Sequence, residues 1–215
     1  MKKTLLVTAA LAAVTLAPGA ADGQNTPNTA TLAAAPALVT AGKATVLSGQ
    51  VTGADNAGVR VDLQADAFPF DDMKNAGQTA TTDASGNFTI SVQPQLLTRY
   101  QVSAKAKPQV SSPIVEVKVR PLVTLAVNDA TAKRGQRITF SGTVTPAHTG
   151  TVKLQRRIGT GSFKTVASPA LVAGTANATF THVLRVRRTA TYRVRIVADA
   201  DHVRGTSPKR RVRVR

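Results

Sequence analysis

Three groups of side chains in this sequence have the types and spacing to do chemistry. Asp199-Ala200-Asp201-His202 places two carboxylates and an imidazole within one tetrapeptide, the beginning of a metal site that lacks enough ligands alone. Asp66, Asp71 and Asp72 flank Phe68-Pro69-Phe70 and offer the oxygen ligands that Ca²⁺ takes, without the spaced acidic loop of an EF-hand. The third group is cationic. Arg193 and Arg195, then Arg211, Arg213 and Arg215, recur at alternate positions of two segments. For the acids a structural reading stands beside the chemical one. Asp in a hairpin loop serves turn geometry, and acids in a surface loop are solvated. No metal is therefore expected, and Asp66, Asp71 and Asp72 stand as the candidate ligands if Ca²⁺ binds.

Catalytic patterns are missing. No Gly-x-Ser-x-Gly, Ser-x-x-Lys or His-Glu-x-x-His occurs, and there is no cysteine to act as nucleophile, thiolate ligand or disulfide. The single glutamate, Glu116, alternates with Val115 and Val117, so it reads as an outward, solvated carboxylate. The three histidines, His148, His182 and His202, are far apart in the chain. The expectation is a protein that is not an enzyme and carries no cofactor.

The elements that must position these groups are strands. Ala44–Thr52, Val59–Gln64, Phe88–Val92, Tyr100–Ala104 and Ile114–Val119 alternate apolar and polar residues, with Gly, Asn, Asp, Ser or Pro between them. That pattern predicts antiparallel strands of a sandwich or barrel, and no sustained helical period competes with it. The second half echoes the first. Ser48-Gly-Gln-Val-Thr52 returns as Ser141-Gly-Thr-Val-Thr145, Val61-Asp-Leu-Gln64 as Val152-Lys-Leu-Gln155, and Tyr100-Gln-Val102 as Tyr192-Arg-Val194. Ser112-Pro113 returns as Ser207-Pro208, at an offset near about 90 residues, the size of one immunoglobulin-like sandwich. Arg120-Pro121 marks the seam, too short for much freedom between the copies.

The ends add a destination. Lys2-Lys3, an apolar run over 4–17 and the break at Pro18-Gly19 predict a signal peptide over 1–21, cut before Asp22. No cysteine follows for a lipid anchor, and no later stretch has the length of a membrane span. The expected divisions are signal peptide 1–21, flexible lead-in 22–29, a first immunoglobulin-like β-sandwich 30–120 and a second over 121–215. The fold class is thus all-β, two tandem immunoglobulin-like antiparallel sandwiches. The product is expected to be secreted, extracellular or associated with a cell wall, with no transmembrane segment in the mature chain.

At Val152-Lys-Leu-Gln-Arg-Arg157, Phe163-Lys-Thr-Val166 and Thr191-Tyr-Arg-Val-Arg-Ile196 the chain resembles the immunoglobulin-like repeat modules of secreted and surface proteins of actinobacteria and related bacteria. Thr82-Asp83-Ala-Ser-Gly86-Asn-Phe88 resembles a strand–turn–strand signature of such modules. The modules often carry Trp where Phe163 stands. The resemblance implies a spacer, adhesion or binding module and brings no catalytic residue with it; a fold does not choose among these roles.

Charge separates the halves. The formal net charge is +17. Residues 1–120 hold ten Lys and Arg against eight Asp and Glu, whereas residues 121–215 hold eighteen against three. Strand phase sends Lys153, Arg193, Arg195, Arg211, Arg213 and Arg215 to the outside of one sheet of the second sandwich. Two functions compete. One is a non-catalytic extracellular spacer or interaction module. The other is a surface protein that uses this cationic face to hold an anionic cell-wall or extracellular polymer. No aromatic interleaves the arginines in sequence, so specific nucleic-acid binding is not expected.

Overall fold

The computed structural model describes residues 27–54 and 56–215, so the expected signal peptide and most of the lead-in lie outside the described residues. Within them every regular element is a strand. The first half holds β1 (Thr29–Ala30), β2 (Ala33–Ala35), β3 (Leu38–Thr40), β4 (Thr45–Thr52), β5 (Arg60–Ala67), β6 (Lys74–Thr81), β7 (Asn87–Val92), β8 (Thr98–Ala104), β9 (Val110–Ser111) and β10 (Val115–Arg120). The second holds β11 (Leu122–Val123), β12 (Ala126–Val127), β13 (Thr131–Ala132), β14 (Arg137–Thr145), β15 (Lys153–Arg157), β16 (Lys164–Ala167), β17 (Val172–Ala173), β18 (Ala178–Arg185), β19 (Ala190–Ile196), β20 (Gly205–Thr206) and β21 (Arg210–Val214).

Alternation makes these strands, because one face of each must leave water. β7 buries Phe88, Ile90 and Val92 and exposes the residues between them. β19 buries Ala190, Tyr192, Val194 and Ile196 and leaves Thr191, Arg193 and Arg195 between them half-buried. In the first half β4 pairs with β7 and with both β1 and β2, and a second sheet runs β3-β10-β8-β5-β6 with β9 beside β8. The second half has the same pairing order. β14 pairs with β18, β11 and β12, and the other sheet runs β13-β21-β19-β15-β16 with β20 beside β19. β17, on β18, is the addition. Pairing is antiparallel except where β3 runs parallel to β10 and β13 to β21. The result is an all-β, sandwich-like fold with two separate apolar cores, one drawn from Ala30 to Val119 and one from Val123 to Val212.

Equivalent contacts close both cores. Gly49 stands opposite Phe88 and Gly142 opposite Phe180 in the strand register. A Cβ on Gly49 would sit 2.6 Å from the Phe88 ring and collide with the Thr31 carbonyl; one on Gly142 would sit 2.7 Å from the Phe180 ring and collide with the Thr124 carbonyl. The two Ser-Pro pairs also act alike. The Ser112 hydroxyl accepts from the Val102 N–H (3.1 Å) and donates to the Pro113 carbonyl (2.9 Å). Ser207 does the same with Val194 and Pro208, both at 2.9 Å.

In the first half the strands differ from the sequence reading. The segment around Asp66–Asp72 is not wholly a surface loop, because Asp66 lies on β5. β5 runs on to Ala67, and β6 returns beside it from Lys74. β6 is an edge strand, exposed along nearly its whole length, so it carries no apolar alternation to betray it. Order also begins before residue 30, because Thr29 already pairs with Thr52.

Gly142→Ala should lower the unfolding free energy in urea by about 1–3 kcal/mol, since neither the ring nor the backbone beneath can give way. Gly161→Ala, in an open loop, should change it by less than about 0.5 kcal/mol.

Candidate functional site

Five of the six cations named from sequence lie on one face of the sheet β13-β21-β19-β15-β16, and the sixth, Arg215, follows the last residue of β21. Lys153 stands opposite Arg195, and Gln155 opposite Arg193. Arg211 stands opposite Thr191 and Arg213 opposite Thr131, with Arg215 two residues further along. The arginines of β19 and β21 do not confront each other. The two strands meet only over Ala190–Tyr192, and Arg195 faces Thr206 of β20 instead.

Arg193 is the centre of this face. Its Nε donates to Gln155 Oε1 at 2.8 Å. Its guanidinium lies over the Phe163 ring at 4.0 Å, with Arg157 over the same ring at 5.0 Å. An aromatic therefore does sit among the arginines, brought there by β16 from a segment remote in sequence. Burial, and then the charges of Arg195, Arg157 and Arg204, pull the Arg193 guanidinium below its ordinary pKa. The Nε atoms of Arg157 and Arg195 are buried with no hydrogen-bond partner. Among the described residues no carboxylate pairs with any of these arginines. Sequence reading found the alternating arginines but not Arg157, Arg204 or Phe163, which enter only through the β15–β16 hairpin and the loop before β20.

A second cluster lies at the seam between the halves. The loop after β19 carries Asp199, Asp201 and His202, and the turn after β14 brings His148 against them. One ligand atom from each of the four falls within 4.8 Å of the others. His148 Nε2 is 3.3 Å from Asp199 Oδ2, and His202 Nδ1 is 2.9 Å from Asp201 Oδ1 and 3.8 Å from Asp199 Oδ1. The rings are 4.7 Å apart, and their side chains are 7% and 1% exposed. Burial pushes the Asp201 carboxyl up, but contacts with Asp199 and His202 outweigh it and hold its pKa below the ordinary value.

The same loop grips the first half. Leu97 N–H donates to the Asp201 carbonyl at 2.9 Å, and Val203 N–H to the Val119 carbonyl at 2.8 Å. His202 Nε2 meets the Gln95 carbonyl at 2.8 Å. A cavity of about 80 Å³ lies beside it, lined by Leu97, Lys118, Val119 and the 199–203 loop.

Asp66, Asp71, Asp72, Asp83, Glu116 and Asp62 are structural or surface groups. Asp66, Asp71 and Asp72 do not gather into a ligand set. Asp66 lies opposite Arg99 in the ladder, and Asp72 is 3.8 Å from Lys74. Phe68 and Phe70 pack edge to face, with Arg99 over the Phe70 ring. Asp83 shapes its turn by accepting from the N–H groups of Ser85 and Asn87 at 2.8 and 2.9 Å. Glu116 is half-buried and 3.8 Å from Arg99. Asp62 is the acid that alternation could not find. It is nearly buried, accepts from Arg60 Nε at 2.7 Å and lies 3.6 Å from Lys105. The Arg60 hydrogen bond, chiefly, holds its pKa below the ordinary carboxylate value against the cost of burial.

The chain matches no protein-family model, and no curated protein matches it in sequence.

Two outcomes follow from the charges. Raising ionic strength from about 0.01 to 0.15 M, which shortens the Debye length from about 30 to 8 Å, should raise the unfolding temperature. Arg195→Gln should raise it at low salt and flatten that dependence. The Asp62 carboxyl has a lower pKa folded than unfolded, so its stabilisation is present above about pH 4 and is lost as pH falls through the folded value. Asp62→Asn should then cost about 1 kcal/mol or less at pH 7, and the gap from wild type should close in acid as the carboxyl protonates.

Proposed function

We propose that this chain is an exported, non-catalytic protein of two tandem immunoglobulin-like sandwiches, acting outside the cell as an interaction module. The immunoglobulin-like reading is supported by the strand order. β4 and β7 share one sheet while β10, β8 and β5 form the other, as strands B and E lie opposite G, F and C in that fold. The tandem reading is supported by the matching pairing order of the two halves and by the paired Gly–Phe and Ser-Pro contacts. Export rests on Lys2-Lys3 and the apolar run that follows. The resemblance at Val152–Arg157 and Thr191–Ile196 suggests a bacterial surface setting.

Within that role, the partner supported best is an anionic polymer of the cell wall or extracellular matrix, held on the outer face of the second sandwich. One observation carries this. Arg157, Arg193, Arg195, Arg211, Arg213 and Lys153 share one sheet face without a carboxylate partner among the described residues, and two of the Nε donors are buried and unpartnered. Like charges so placed repel one another, and an unpaired buried donor costs roughly 1–3 kcal/mol. A polyanion threaded over the face would relieve the repulsion among these cations.

Retention on immobilised heparin or teichoic acid should fall steeply as salt rises. The triple reversal Arg193→Glu, Arg195→Glu, Arg213→Glu should abolish it, whereas reversing the exposed Lys43, Lys74 and Lys107 of the first half should not. Passage of the wild-type protein through such columns at low salt would end the proposal.

A further inference from the structure

We propose that His148, His202, Asp199 and Asp201 form a binding site for one divalent transition-metal ion of the Zn²⁺ class, which ties the second half of the chain to the first. It is separate from the cationic face.

The argument starts from the outer nitrogen of each ring. His148 Nδ1 lies 2.7 Å from the Pro146 carbonyl, and His202 Nε2 lies 2.8 Å from the Gln95 carbonyl. A carbonyl oxygen only accepts, so each of these nitrogens must carry the proton. In the neutral ring that leaves His148 Nε2 and His202 Nδ1 as bare lone pairs. Both are buried, and both lack a hydrogen-bond partner.

What those lone pairs face is the second part of the argument. His148 Nε2 points at Asp199 and His202 Nδ1 at Asp201, and an ionised carboxylate has only lone pairs to offer in return. Acceptor against acceptor at a buried ring nitrogen is repulsive unless something positive lies between, even with the Asp199 and Asp201 side chains 40% and 31% exposed. Two imidazolium protons could serve, but a single dication satisfies all four groups at once.

The donor set selects the ion. Two imidazole nitrogens and two carboxylate oxygens suit Zn²⁺, with Ni²⁺, Co²⁺ and Cu²⁺ as competitors, while Ca²⁺ and Mg²⁺ want oxygen throughout. A ring N–H given to a backbone carbonyl is also the arrangement that fixes the tautomer of metal-bound histidine. Bonds of about 2.0–2.1 Å place tetrahedral ligand atoms about 3.3 Å apart. The 3.3 Å from His148 to Asp199 already meets this; around the ion the 2.9 Å from His202 to Asp201 would open slightly and the longest separations, up to 4.8 Å, would close. Four protein ligands leave no open position, which suits a structural ion rather than a reactive one.

The location gives the ion its effect. His202 bonds to Gln95, and its flanking residues bond to Leu97 and Val119, all in the first half. His148 belongs to a different loop of the second half. Fixing the four ligands therefore stiffens the segment that holds the two cores together.

Purified protein, stripped with chelator, should bind one equivalent of Co²⁺ with the visible absorption of a tetrahedral site, and Zn²⁺ should bleach it. The unfolding temperature should rise with Zn²⁺. In nuclear magnetic resonance, Zn²⁺ should move the ring signals of His148 and His202 and leave those of His182, which lies on β18, unchanged. This comparison needs no substitution, so it holds even if a variant folds poorly. His148→Gln and Asp199→Asn should each weaken Zn²⁺ binding by more than the roughly 10–100-fold that loss of an outer partner costs. No binding of Co²⁺ or Zn²⁺ by the wild-type chain at millimolar metal would overturn the site. So would equal binding by both variants, or perturbation of His182 in place of the other two rings.

Discussion

Burial of one face of every core strand against the facing sheet is the constraint on which everything else rests. With no cysteine in the chain, no covalent bond joins the sheets, and each core must close by packing alone. Most core side chains are Val, Ala, Leu and Ile, and within one sheet of each half Phe88 and Phe180 lie on bare glycines of the neighbouring strand. Inward positions are thereby committed. Charge has only the outward positions to occupy, and in the second half nearly all of that charge is positive.

This division explains what could be read from the sequence. Strands with one wet and one dry face announced themselves, as at Asn87–Val92 and Ala190–Ile196, because period-two burial writes a period-two pattern. The outward phase of Arg193, Arg195, Arg211 and Arg213 followed from the same rule. β6 stayed hidden because an edge strand wet on both faces has no pattern to write. Asp62 stayed hidden because Arg60 and Lys105 fold over it from positions that alternation treats as solvent.

The clusters were legible in part for a different reason. Asp199, Asp201 and His202 are local in sequence, so the tetrapeptide stood out, but it looked incomplete. Its fourth member, His148, arrives from another loop, and no local signal links the two. Phe163 joins the arginines in the same non-local way, through the pairing of β15 with β16. Strand phase tells which way a side chain points; only the closed sandwich tells which loops meet at its ends. The two features share β19. Arg193 and Arg195 project from its middle, and the loop beyond its last residue, Ile196, carries the carboxylates and His202.

The parallel pairs at the two ends of each half bear on how the chain carries load. β3 lies parallel to β10 over three residue pairs, and β13 parallel to β21 over two. In each case a strand near the start of the half is clamped beside its last strand. Tension between the two ends of the chain would pull such neighbours in opposite directions along their own length. Their hydrogen bonds would be sheared together rather than opened one after another. For a protein placed between two attachment points, that geometry makes each half a stiff link, and its failure under pull an abrupt event rather than a gradual stretch.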